Sequence, residues 1–179
     1  MTPFAQIRIR KTHSGYQLSA DELQFSCVIG RTGMILANQK TEGDGATPIG
    51  NWPLRGLYYR PDRISREDII AAARWLPCRP VTSQMGWVDD PHSPLYNRPV
   101  MLPCADRHET LWREDGLYDL ILPVGYNDGP IRPQAGSAIF LHCAEPDTTA
   151  TEGCVALARE DLLALLPRLA STTRLIVHS

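Results

Sequence analysis

The chain has 179 residues, enough for one domain to bury a core without help from disulfides or a metal. A net charge of −2, with 43% hydrophobic and 21% charged residues, is ordinary for a globular protein and supplies no basic stripe for nucleic acid. Fifteen prolines, spread from Pro3 to Pro167, disfavour a helical bundle and favour short strands joined by turns.

In chain order, the N-terminus lacks the apolar run of a secretory signal, and no later stretch reaches transmembrane length, so neither an export signal nor a membrane segment is expected. Residues 6–10 alternate polar and apolar as a half-buried strand does, and 23–29 and 33–37 read as further strands between glycines. Residues 40–50, Lys-Thr-Glu-Gly-Asp-Gly-Ala-Thr-Pro-Ile-Gly, are rich in turn formers and predict an ordered loop feeding a strand near Trp52. Ser65 with Asp68 forms a capping box, with Ile64 and Ile69 as its hydrophobic staple, so a helix is expected over 64–76, ended by Pro77. Residues 77–103 read as a long irregular stretch carrying Trp87, Tyr96 and Asn97. Strand signals return at 117–124 and 137–142; a helix at 159–166 and a strand at 174–177 close the chain. The pattern predicts one domain over 1–179, mainly β, a curved sheet or sandwich with one or two packed helices.

Cys27, Cys78, Cys104, Cys143 and Cys154 are odd in number and irregularly spaced, so at least one thiol is expected free. An apolar run ends in His142, and Glu152-Gly153-Cys154 then leads into the apolar Val155-Ala156-Leu157. This order lets a loop return a thiol to an imidazole. Cysteine catalysis needs that pairing, because a thiol of pKa about 8.5 is mostly protonated at neutral pH and a nearby imidazole can accept its proton. Gly153, without a Cβ, permits a tight turn whose backbone N–H groups stabilise an oxyanion. A buried cysteine and a hydrogen-bonded strand-end histidine are the bland alternative. Cys143 would face away from His142 in a strand and is read as core.

These residues resemble the L,D-transpeptidase catalytic domain of the YkuD family. The resemblance rests on Ile139-Phe-Leu-His142, then Gly153-Cys154-Val155, preceded by Gly45-Ala-Thr-Pro-Ile-Gly50, and spans most of the chain. Lys40-Thr-Glu-Gly-Asp-Gly-Ala-Thr-Pro48, Tyr96-Asn-Arg-Pro99, Gly125-Tyr-Asn-Asp128 and Thr151-Glu-Gly-Cys-Val-Ala-Leu157 are similar to the short single-domain branch found in Gram-negative bacteria. The resemblance implies Cys154 as nucleophile, His142 as general base and acid, and Gly153 as a backbone contributor to the oxyanion hole. It implies peptidoglycan stem peptides as donor and acceptor, cross-linking through a Cys thioester, carbapenem-type β-lactams as covalent inhibitors, and no cofactor. Hydrolysis by the same pair, as an L,D-carboxypeptidase or endopeptidase, is the alternative. Thr151 stands where the family usually has serine, and Ala156 where it usually has arginine; Arg132, Arg98 and Arg55 are the candidates to supply the cation instead.

Tyr126 and Asn127, Trp87, Tyr96 and Asn97, and Lys40 are the candidates for substrate contact, each with a plain alternative as turn former, loop anchor or solvated charge. Two rivals come from other classes: a zinc site from Cys104 with His108, or from His142 with Cys143 and Cys154, and a non-catalytic wall-binding module. Neither metal set has a strong ligand spacing. The substrate points to the periplasm; with no leader visible, the cytoplasm is the alternative location.

Overall fold

The computed structural model describes residues 2–178. The elements run β1 (Gln6–Thr12), β2 (Gly15–Ala20), β3 (Leu23–Cys27), β4 (Met34–Leu36), β5 (Thr47–Pro53), β6 (Leu57–Tyr59), α1 (Arg66–Ala72) and β7 (Cys78–Pro80). Then come β8 (Met85–Val88), β9 (Pro99–Met101), β10 (His108–Thr110), β11 (Leu120–Pro123), β12 (Phe140–Ala144), β13 (Val155–Ala158), α2 (Arg159–Leu165), a 3₁₀ turn (Leu166–Arg168) and β14 (Arg174–Val177). The fold is mainly β, as the sequence pattern predicts.

Three sheets form. A six-stranded sheet has the order β3-β2-β1-β14-β5-β4, a five-stranded sheet β13-β12-β11-β6-β7, and a three-stranded sheet β10-β8-β9. Alternation explains β1: Ile7 and Ile9 are buried while Arg8 and Arg10 are exposed. The main core holds Ile7, Ile9, Leu18, Leu141, Val155, Leu162 and Leu175, drawn from both large sheets and α2. The opposite face of the five-stranded sheet carries a second cluster, with Ile121, Phe140 and Cys154 joined by Val81, Leu111 and Tyr118. Trp87 and Met85 of the small sheet pack onto that cluster.

α1 begins as the capping box requires: the Asp68 N–H donates to Ser65 Oγ at 3.1 Å, and Ile64 and Ile69 are both buried in the main core. It stops at Ala72 rather than near Leu76, because Ala73 leaves helical geometry at φ −102, ψ 43. The strand expected near Trp52 starts earlier, at Thr47, because Met34, Ile35 and Leu36 of β4 pair with 47–49. The stretch 77–103 is a clearer correction. It is not irregular but holds β7, β8 and β9, whose three or four residues are too short for a period of two to stand out. Pro99 opens β9, an edge strand, where a missing N–H costs no ladder bond.

Candidate active site

The parallel register of β12 and β13 pairs Leu141 with Val155 and His142 with Ala156. Alternation then sends Leu141, Cys143 and Val155 into the main core, and places Phe140, His142 and Cys154 on the other face. Cys143 is a core residue, as its strand parity predicts. The Cys154 thiol is held between two backbone groups: the Phe140 N–H donates to Sγ at 3.3 Å, and Sγ donates to the Ala138 carbonyl at 3.2 Å. Ala138 presents that carbonyl from a left-handed conformation, φ 51, which costs a non-glycine residue about 1 kcal/mol or more. Its N–H is fixed by Asn97 Oδ1 at 3.0 Å.

His142 is buried, and its Nδ1 lies 2.7 Å from the Cys143 carbonyl. That contact assigns the proton to Nδ1 and leaves Nε2 as the basic nitrogen. Burial lowers the imidazole to about 4 and raises the Cys154 thiol to about 12. Thiol and imidazole are therefore both neutral in the resting protein.

The turn before Cys154 is built against the glycine-rich loop. Gly153 has φ 130, and a Cβ there would lie 2.8 Å from the Ala46 carbonyl oxygen. Thr47 Oγ1 donates to the Gly153 carbonyl at 2.9 Å and accepts from the Gly30 N–H at 2.9 Å. Thr151 Oγ1 donates to the Cys154 carbonyl at 2.7 Å and accepts from the Gly153 N–H at 3.2 Å. A hydroxyl at 151 thus organises the turn. Ala156 is fully buried and exchanges two 2.8 Å backbone hydrogen bonds with Val28, so no cation enters from that position.

A hollow of about 360 Å³ opens at Cys154, walled by Lys40, Glu42, Asp89, Arg107, Glu109 and Glu152 among others. Lys40 is buried with its Nζ 2.6 Å from Asp44 Oδ1. Glu42 accepts from the Tyr96 hydroxyl and from Ser137 Oγ. Arg55 and Arg98 line a different hollow, of about 200 Å³, beside Trp87. Arg107 and Lys40 are the cations at the thiol. A larger hollow, about 470 Å³, lies by Cys27 and Cys143 and includes neither Cys154 nor His142.

Of the six candidate substrate contacts, Lys40 alone lines the hollow at the thiol. Asn97 is buried and spends its amide on the protein: Oδ1 accepts from Trp87 Nε1 and the Ala138 N–H, and Nδ2 donates to the carbonyls of Tyr126 and Asn127. Tyr126 is buried against Trp52, its hydroxyl donating to the Ala135 carbonyl at 2.6 Å. Asn127 closes its own loop through Arg132 and Gly136. Tyr96 is buried at Glu42, and Trp87 packs edge-on against Phe140.

Sequence reasoning missed Arg107, Glu109 and Tyr118. The Tyr118 ring stands edge-on to His142 at 5.3 Å, and its hydroxyl donates to Glu109 Oε2 at 2.7 Å. No local motif marks them, because β10 is three residues long and its approach to the thiol is purely tertiary. Among the described residues no group of three His, Cys, Asp or Glu side chains is placed to hold a metal, and no helix is long and apolar enough to cross a membrane.

The family model for the L,D-transpeptidase catalytic domain, YkuD, matches residues 6–177. No curated protein matches the chain. Similar solved structures include an L,D-transpeptidase from Mycobacterium smegmatis, at 10% identity and TM-score 0.43, covering 97% of this chain and 58% of that one. L,D-transpeptidase 3 from Mycobacterium tuberculosis, in complex with a faropenem-derived adduct, is similar at 13% identity and TM-score 0.43, covering 97% and 60%. L,D-transpeptidase 1 from the same organism is similar at 10% identity and TM-score 0.40, covering 96% and 61%. The chain spans about three fifths of the length of these structures.

Proposed function

The chain belongs to the YkuD family of L,D-transpeptidase catalytic domains, and from that membership we propose that it is a peptidoglycan acyl-transfer enzyme with Cys154 as nucleophile and His142 as base. The observation that carries this reading is the placement of a thiol at the wall of a charged hollow, on the same sheet face as an imidazole of the adjacent strand.

In the proposed reaction the Cys154 S–H proton passes to His142 Nε2 as sulfur attacks a stem-peptide carbonyl. The C–S bond forms, the C–N bond breaks as His142 passes that proton to the departing amine, and a thioester results. An amine of a second stem then attacks the thioester and loses a proton to His142, which returns it to the departing sulfur as the cross-link forms; water in place of the amine gives hydrolysis. Because both groups rest neutral, proton transfer accompanies attack rather than preceding it. The Gly153 N–H reaches an oxyanion only by leaving Thr151 Oγ1, so the turn loosens as the tetrahedral intermediate forms. Lys40 is the candidate to meet a stem carboxylate. The reaction belongs in the periplasm, where the substrate lies.

The test is incubation with purified muropeptides, products being resolved by mass, for wild type and Cys154→Ala. Wild type should yield new dimers and the variant none; shortened stems alone would assign hydrolysis, and activity surviving in the variant overturns the reading. The faropenem-derived adduct in the M. tuberculosis enzyme motivates a second arm: a carbapenem should add covalently at Cys154.

A further inference from the structure

Lys40 is a cation built into the wall of the hollow at Cys154. Its side chain is only 2% exposed and lies against bare backbone, since a Cβ on Gly136 would come within 3.1 Å of Lys40 Cε. An ammonium has three N–H donors. One goes to Asp44 Oδ1 at 2.6 Å and one to the Thr41 carbonyl at 3.1 Å; the third has no partner among the described residues. Asp44 also accepts from the N–H groups of Thr41 and Ala46, at 2.8 and 2.9 Å. The glycine-rich loop thus fixes the pair and leaves one charged donor unspent.

The other charged groups of the wall are committed. Arg107 gives Nε to the Asp89 carboxylate and Nη2 to the Asp89 carbonyl. Glu42 accepts from Tyr96 and Ser137, Glu109 from Tyr118, and Glu152 from Arg31. The Lys40 charge also reaches the sulfur: burial raises the Cys154 thiol most and Glu109 adds to the rise, while the Phe140 N–H and Lys40 oppose it. A buried cationic N–H without an acceptor is a standing cost, which an incoming anion removes.

Resting on the reading of Cys154 as the acylated nucleophile, we propose that Lys40 makes the enzyme selective for stems with a free carboxylate close to the attacked carbonyl, so that a stem amidated there is a poor substrate. A carboxamide oxygen can accept the same N–H but brings no charge to the ammonium, and the contact weakens by about half. The rest of the wall sharpens the choice. Glu42 and Glu109 form no ion pair among the described residues, so an anion that fails to reach the ammonium meets acidic side chains. The preference therefore rests on Lys40 alone.

The experiment measures the affinity of Cys154→Ala, expected to hold substrate without turning it over, for three stem peptides. These are the parent, one with its side-chain carboxylate converted to carboxamide, and one with its C-terminal carboxylate converted. The parent should bind about 10–100-fold tighter than one of the two amides, and that amide identifies the carboxylate that Lys40 reads. Adding Lys40→Met, which removes the charge, should abolish the preference or reverse it towards the carboxamide. Lys40→Met with Asp44→Asn, in which no carboxylate loses its cation, should do the same. Equal affinity for all three stems with Lys40 present, or a preference that survives both substitutions, overturns the proposal. Turnover by Cys154→Ala would sink the nucleophile assignment and leave the three-stem comparison standing, because that comparison reads binding alone.

Discussion

The Thr151 hydroxyl donates to the Cys154 carbonyl at 2.7 Å and accepts from the Gly153 N–H at 3.2 Å, so a threonine clamps the turn that carries the thiol. Thr151→Val keeps the shape and strips both bonds, leaving the Cys154 carbonyl only a 3.4 Å contact with Thr47. A destabilisation of about 1–3 kcal/mol is expected, with slower β-lactam acylation; Thr151→Ser should stay within about 0.5 kcal/mol of wild type. Urea unfolding and adduct formation followed by mass would check both.

Alkylation should report the state of the nucleophile. With burial raising the Cys154 thiol to about 12, little thiolate exists at pH 7, and iodoacetamide labelling should rise steadily with pH through 10 without levelling near neutrality. Site-resolved mass spectrometry is required, because Cys104 and Cys78 are more exposed. A plateau below pH 8 would indicate a resting thiolate.

Acid should unfold the protein partly through His142. Its pKa is about 6.5 in an unfolded chain and about 4 here, so the folded state binds fewer protons between these values. The stability this neutral histidine contributes is complete above pH 6.5 and is lost as pH falls towards 4, a change of roughly 3 kcal/mol. His142→Gln should flatten the dependence of unfolding free energy on pH across that window, measured by denaturant titration at each pH.

Asn97 separates an anchor from a substrate contact. Asn97→Ala leaves the Trp87 and Ala138 donors and two backbone carbonyls without their partner, a loss of roughly 2–4 kcal/mol. Since Ala138 in turn holds the Cys154 thiol, kcat should fall with KM little changed. A raised KM at unchanged stability would instead mean that Asn97 touches substrate.

Much of the frame is written locally. Ser65 and Asp68 state where α1 begins, Ile7 and Ile9 which face of β1 is inward, and strand parity at 142 and 143 which thiol is core. The small sheet was not legible, because three or four residues carry no readable period and Pro99 looks the same in a loop as at an edge. Asn97, Asn127 and Tyr126 show another limit: a polar side chain satisfied by a distant carbonyl reads in sequence like one awaiting a ligand. Glu109 reaches the hollow at Cys154 only because the small sheet packs on the five-stranded one, and Tyr118, just ahead of β11, joins Cys154 only through the second cluster.

Gly30, Gly45 and Gly153 meet as bare backbone: a Cβ on Gly30 would lie 2.3 Å from the Gly45 carbonyl oxygen, and one on Gly153 2.8 Å from that of Ala46. Two loops 106 positions apart, joined by Thr47 and Gly153, interlock as closely as the halves of a clasp. Neither loop can change its path while the other stays. In a chimera with a relative, the smallest exchangeable module is therefore the two loops together, and swapping one alone should leave the thiol misplaced however well the remaining sheets fold.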